Sequence, residues 1–140
     1  MGIVIQTELV TPEALVLSEE FMLVTAPGVD GYFGVMSGHT PFVTLLTAGV
    51  LSAGAGDEDA KQFVISGGFA EVRPDKVTIL TERALPREQI TKQLVANEKH
   101  EAETKLAHAE GAQEATLIAY WKARMDFVRV CQELLKKEQG

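Results

Sequence analysis

The sequence predicts a β + α chain: an N-terminal antiparallel β-sandwich over residues 1–86, then a C-terminal antiparallel two-helix hairpin over residues 87–140. Three observations predict it. Up to about residue 85, short runs rich in Val, Ile, Phe and Thr alternate with Gly- and Pro-bearing turns. From Arg87 to Ala109 there is no Pro and no Gly, and good helix formers dominate. At the same place the apolar spacing changes to three and four.

The first strand fits residues 3–9, and Thr11-Pro12-Glu13 breaks it. Strands at 14–17 and 21–25 follow. Residues 27–31 read as a loop, because Pro27 fixes φ and Gly28 and Gly31 permit positive φ. Further short strands fit 32–35, 43–47, 50–53, 63–66, 70–73 and 77–81, with Gly67-Gly68 and Pro74-Asp75 as tight-turn candidates. Many short strands with no helix between them favour a sandwich or barrel over a parallel sheet.

The first helix, 87–109, carries Ile90, Leu94, Val95, Ala102, Leu106 and Ala109 on one stripe. Gly111 interrupts as a helix-to-helix turn would. The second helix, 113–137, carries Leu117, Trp121, Met125, Val128, Cys131 and Leu135, broadened by Tyr120, Phe127, Val130 and Leu134. Lys136 and Lys137 sit in its last turn, where positive charge complements the helix dipole. This helix is too apolar to lie free on a surface, so part of it must face the sandwich or another subunit. Ala112, Ala115, Ala119 and Ala123 would allow close helix approach.

Composition removes several classes of function. The 140 residues include 20 acidic and 13 basic side chains, a net charge of -7. That disfavours nucleic acid, which requires clustered Lys and Arg, and charge-driven docking on anionic lipid. No apolar run approaches the ~20 residues that span a bilayer, so direct membrane insertion is not expected. The first residues lack the pattern of a signal peptide, and the single Cys131 allows no intrachain disulfide; both fit a cytosolic-side protein.

Chemistry is sparse. His100 and His108 are eight apart on the first helix, too far to share a metal, and read as solvated surface. None of Ser18, Ser37, Ser52 and Ser66 lies in Gly-x-Ser-x-Gly, and no phosphate-binding glycine loop is present. The run Asp57-Glu58-Asp59 reads as a solvated hairpin tip rather than a calcium loop. No catalytic residue, metal or cofactor is expected. The exception to this sparseness is residues 31–41, which concentrate Gly31, Gly34 and Gly38 with Tyr32, Phe33, Met36 and His39. Two readings stand: a loop folded over its own sandwich with His39 hydrogen-bonded inside, or a partner-binding edge.

Gly31-x-x-Gly34-x-x-x-Gly38-His39-x-Pro41, followed by Thr44 and Gly49, resembles the signature loop of the epsilon subunit family of bacterial F-type ATP synthases, called delta in mitochondria. Residues 63–72, residues 77–84 and the opening Leu9-Val10-Thr11-Pro12-Glu13 resemble further signatures of that family, in the same order. The helical hairpin fits as well, so the resemblance covers essentially the whole chain.

The resemblance implies a non-catalytic central-stalk subunit that links proton flow through a ring of c subunits to ATP synthesis in the catalytic head. Its partners would be the gamma subunit, the c-ring and, through an extended hairpin, the alpha and beta subunits. It would sit peripherally on the cytoplasmic face of the bacterial inner membrane. Tyr32, Phe33, Met36, Ser37, Gly38, His39, Thr40 and Pro41 would face the rotor. Tyr32 stands where many relatives carry an acid, and Ser37 where they carry Pro. The hairpin would inhibit ATP hydrolysis, with Trp121, Lys122, Arg124, Met125 and Arg129 as its contacts. The ATP-binding pattern of some relatives is degenerate here: Thr91 replaces its Asp and Leu94 its Arg, so no nucleotide cofactor is expected. Two alternatives are weighed against this. One is a ligand-binding β-sandwich with a self-associating hairpin. The other is a small hydrolase using His39 with Asp30 or Glu71.

Overall fold

The computed structural model of the protein describes residues 3–54 and 60–139; Asp57-Glu58-Asp59 lies outside them. The chain divides into two compact units, Met1–Arg87 and Glu88–Gly140.

In the first unit eight strands are described: β1 (Ile5–Val10), β2 (Leu15–Phe21), β3 (Val24–Gly28), β4 (Gly31–Val35), β5 (Phe42–Ala53), β6 (Lys61–Val72), β7 (Lys76–Leu80) and β8 (Ala84–Pro86). Their hydrogen-bonded order is β2-β1-β7-β6-β5-β3-β4, and β8 joins at β6. β1 from one end of that order and β3 and β4 from the other contribute to a single core: Ile5, Leu9, Val24, Val35, Leu51, Ile65 and Ile79 are buried in one cluster. A flat sheet could not do this. The sheet folds over on itself, and its inward faces form the two layers of a β-sandwich.

β6 makes the fold-over possible. Its first half, Phe63–Ile65, pairs with β8 and its second half, Phe69–Val72, pairs with β7. Between them Gly67 and Gly68 have φ of 101° and 126°, a region L side chains avoid. The strand continues through the bend and stays paired with β5. The Gly-Gly pair that reads as a turn in the sequence is therefore a kink within one long strand. β5 is likewise one strand where the sequence suggests two. The two-residue turn Pro74-Asp75 forms as expected, closed by the Arg73 amide donating to the Lys76 carbonyl at 2.8 Å.

All pairs are antiparallel except β1 with β7, which is parallel. Parallel neighbours need a long connection, and the intervening β2–β6 supply it. β8 was not expected; three residues ending in Pro86 leave little period to read.

In the second unit α1 (Lys92–Gly111) and α2 (Ala115–Gln139) are joined by a tight turn. Thr91 caps α1, its Oγ1 accepting from the Leu94 amide at 3.1 Å, so the helix starts later than the sequence suggests. A short 3-10 turn, Arg87–Gln89, occupies the predicted first turn. In the connection Gln113 takes φ of 57°, and its amide donates to the Glu110 carbonyl. Val95, Ala102 and Ala109, seven residues apart, are buried on one line of α1, and Phe127, Val128 and Cys131 are buried on α2.

A Cβ placed on Gly68 would lie 1.9 Å from the Leu80 carbonyl oxygen, whereas one on Gly111 would meet nothing within 4 Å. Gly68→Ala should destabilise the sandwich by ~2 kcal/mol or more in thermal or urea unfolding, because it combines a clash with a disfavoured φ. Gly111→Ala should change stability by less than ~1 kcal/mol.

Candidate functional site

The alternation of strand residues places an apolar row on the outside of the sandwich. Leu45 of β5 lies opposite Phe69 of β6, Phe69 opposite Leu80 of β7, Leu80 beside Val10 of β1, and Val10 opposite Leu15 of β2. Leu45 is 64% exposed, Leu15 57% and Phe69 39%, while Leu80 and Val10 are half-buried. Their chain neighbours Leu46, Ala70, Ile79 and Leu9 are buried in the core, which fixes the row as outward-facing. Strand spacing makes the row about 19 Å long. A further exposed residue, Val29, is tied to its end by an amide donating to the Leu45 carbonyl at 3.1 Å.

Polar groups border the row. One step along the strands lie Glu71, Thr78, Glu8 and Ser18, with the exposed Val43 extending the apolar surface at the β5 end. There Glu71 pairs with Arg73 and Glu8 with Lys76. On the other side a cavity of about 440 Å³ opens beside Val10 and Leu80, bounded by Thr11, Gly68 and Glu82. A contiguous apolar strip with a polar rim is the anatomy of a protein-binding surface.

The loop singled out in the sequence forms one corner of the same unit. Gly38 takes φ of 84°, and its amide donates to the Pro74 carbonyl at 2.8 Å, anchoring residues 36–41 to the β6–β7 turn. The His39 amide donates to the Met36 carbonyl, and its Nδ1 lies 2.7 Å from the Thr40 carbonyl oxygen. Phe33 meets Phe42 edge-on at 5.4 Å, and the His39 ring lies 5.2 Å from Phe42. Phe33, Ser37 and His39 are half-buried, whereas Tyr32, Met36, Thr40 and Pro41 are exposed. The corner thus has an inner aromatic anchor, as a loop folded over its own sandwich would, and an exposed outer face carrying Tyr32 and Met36. Of the groups the hydrolase reading would use, His39 contacts Thr40 and Phe42, Glu71 pairs with Arg73, and Asp30 is exposed in the β3–β4 turn.

In the hairpin, Arg124 bridges the helices. Its guanidinium donates to Glu98 at 2.9 Å, to Glu101 at 3.2 Å and to the Tyr120 hydroxyl at 3.3 Å, and it lies 5.2 Å from the Trp121 ring centre. Burial works against its charge. The hydrogen bonds to Tyr120 and Glu98, with the Glu98 carboxylate's attraction, outweigh that and hold it above its ordinary pKa. Arg129 pairs with Asp126 on the surface, Lys122 is exposed, and Met125 and Leu94 are half-buried. Among the described residues no three His, Cys, Asp or Glu side chains are grouped to hold a metal. No described helix is long and apolar enough to cross a membrane.

The family model for the beta-sandwich domain of the ATP synthase delta/epsilon chain matches residues 4–87. The chain belongs to the ATP synthase delta/epsilon family. It is similar to the ATP synthase epsilon chain of Magnetococcus marinus, with 55% identity over 85 residues, 61% of this chain and 61% of that relative's length. It is also similar to the epsilon chain of Desulforapulum autotrophicum, with 45% identity over 100 residues, 71% of this chain and 74% of the relative. Among solved structures, a chain in the cryo-EM structure of the Euglena gracilis mitochondrial ATP synthase, OSCP/F1/c-ring in rotational state 1, superposes with a TM-score of 0.74 at 28% identity. That match covers 96% of this chain and 83% of the other.

In the sequence of this delta/epsilon-family chain the corner stands out by its glycines and aromatics, and the apolar row does not. One signal was available. Residues 42–46, Phe-Val-Thr-Leu-Leu, are nearly continuously apolar, which in a strand means both faces are to be covered.

The two arginine pairs differ in burial: 15% and 18% exposed for the Arg124 and Glu98 side chains, against 61% and 55% for Arg129 and Asp126. Arg124→Ala should therefore destabilise the hairpin by about 2 kcal/mol, read as faster amide exchange through α2, because it removes the part-buried charged hydrogen bonds that join the two helices at Glu98 and Glu101. Arg129→Ala should change it by less than ~1 kcal/mol.

Proposed function

We propose that this delta/epsilon-family chain is the central-stalk subunit of an F-type proton-translocating ATP synthase and that its exposed apolar row is the seat of the gamma subunit. The row carries the reading. Side chains from five strands present apolar surface to solvent along one line, which is unfavourable unless a partner covers it. The kinship with epsilon chains and the likeness to a chain of an F1/c-ring assembly support gamma as that partner.

In this reading the subunit performs no chemistry itself. It turns with gamma and the c-ring, linking proton flow to ATP synthesis in the catalytic head. The corner formed by residues 32–41 faces the rotor, and the whole chain is held peripherally at the cytoplasmic face of the bacterial membrane. The acidic balance of the chain, net -7, agrees with protein partners rather than nucleic acid. The hairpin restrains ATP hydrolysis by engaging the alpha and beta subunits. Lys122, Arg129, Lys136 and Lys137 are exposed cations on α2 that suit such a contact.

Replacing Leu45 and Phe69 together by Glu should weaken binding to purified gamma roughly 100-fold or more, measured by calorimetry, because it places two charges in the middle of the interface. The melting temperature of the sandwich should stay nearly the same, since both side chains face solvent. Unchanged gamma affinity would remove the row from the interface. Ending the chain after Arg87 retains β8 and should leave ATP synthesis by the complex coupled while raising its ATP hydrolysis rate; an unaltered rate would rule out the inhibitory role.

A further inference from the structure

The ladder between β3 and β5 is broken. Thr25 pairs with Ser52 and Gly28 with Leu46, so two residues of β3, Ala26 and Pro27, face five of β5. Within that gap no residue of β3 is paired with Val50. The Tyr32 hydroxyl oxygen accepts from the Val50 amide there at 2.9 Å. Gly49 makes room for it: a Cβ there would lie 2.8 Å from the Tyr32 oxygen and 2.5 Å from Pro27 Cβ. Tyr32 is opposite Pro27 in the β3–β4 register, and Pro27 and Gly49 are buried while Tyr32 itself is 60% exposed.

The phenol is therefore fixed at its outer end, which is unusual for an exposed tyrosine. A phenolic oxygen can accept and also donates one proton. The Val50 amide uses an acceptor site. Among the described residues no acceptor accompanies the O–H proton, and the Tyr32 side chain belongs to the exposed side of the corner.

We infer that Tyr32 is a pre-positioned hydrogen-bond donor for the rotor partner of this corner, which meets it with a carboxylate or main-chain carbonyl oxygen. The inference rests on the stalk reading above and adds the chemistry of one contact. An ordinary exposed tyrosine gives up rotamer freedom when it binds; one already held by Val50 and packed over Pro27 does not. A neutral donor here also selects differently from a carboxylate at the same position, since it is matched by an acceptor and a carboxylate by a cation.

The test separates the two roles of the oxygen. Full-length chain is prepared unmodified, as Tyr32→Phe, with O-methyltyrosine at position 32, and with 4-aminophenylalanine at position 32. Each is titrated against the detergent-solubilised complex of gamma with its c-ring, and Val50 amide exchange is followed by NMR. The methyl ether still accepts but cannot donate; the amine does both. The expected result is that O-methyltyrosine keeps the Val50 amide protected but weakens binding between about 3- and 10-fold. Tyr32→Phe should lose both protection and binding, and the amine should restore both. The inference is overturned if Tyr32→Phe or the O-methyl chain binds as tightly as the unmodified one, or if the amine restores protection without affinity. Failure of the unmodified chain to bind overturns the stalk reading itself, and the inference with it.

Discussion

The fold depends on a pair of residues with no side chain. At Gly67 and Gly68 the main chain of β6 adopts positive φ, and at Gly68 it passes so close to the Leu80 carbonyl that no Cβ fits. That bend lets one strand pair with β8 in its first half and with β7 in its second. Without it the two halves of the sheet could not face each other, and the buried Val, Ile and Leu side chains would have no opposite layer. The outer surface follows from the same bend. Phe69, the next residue, has Leu45 on one side and Leu80 on the other, in the middle of the exposed row.

The two units solve the problem of burial differently. The sandwich uses branched and aromatic side chains from every strand and leaves surplus apolar surface on its outside. The hairpin buries small side chains on α1, Ala102 and Ala109, and larger ones on α2, with a bridging guanidinium between the helices. Arg124 has its charge matched by two carboxylates and a hydroxyl, so its burial is compensated where an unpaired cation would be costly. It is fixed by internal contacts, unlike Lys122.

Features that depend on nearby residues were legible in the sequence, and features that depend on pairing were not. The helices, the Pro74-Asp75 turn and the glycine-rich corner all rest on local chemistry. Gly67-Gly68 carried the right information, an unusual φ, but a tight turn and a bent strand need the same glycines. Only the length of the partner strand β5 separates them. β5 itself read as two strands because Ala48 and Gly49 look like an interruption; in the fold Gly49 is small because Tyr32 and Pro27 lie over it. Thr91 was noted for what it lacks in nucleotide recognition, yet its hydroxyl is a helix cap. Beyond the apolar run at residues 42–46, the apolar row could not be seen in any single segment. It exists because five strands meet in one register, and a one-residue slip in any of them would turn its contribution inward.

β5 and β6 each run twelve residues and together form the longest ladder in the sandwich. Layers joined only by packed side chains can slide over one another under a sideways load, since dispersion contacts have little directional preference. Here the layers share covalent chain. A force applied at Leu45 or Phe69 passes along peptide bonds and cross-strand hydrogen bonds into the far layer, so the module resists shear as a single stiff body. In the stalk role proposed above, such stiffness would set how much of each stroke is delivered onward and how much is lost as elastic give.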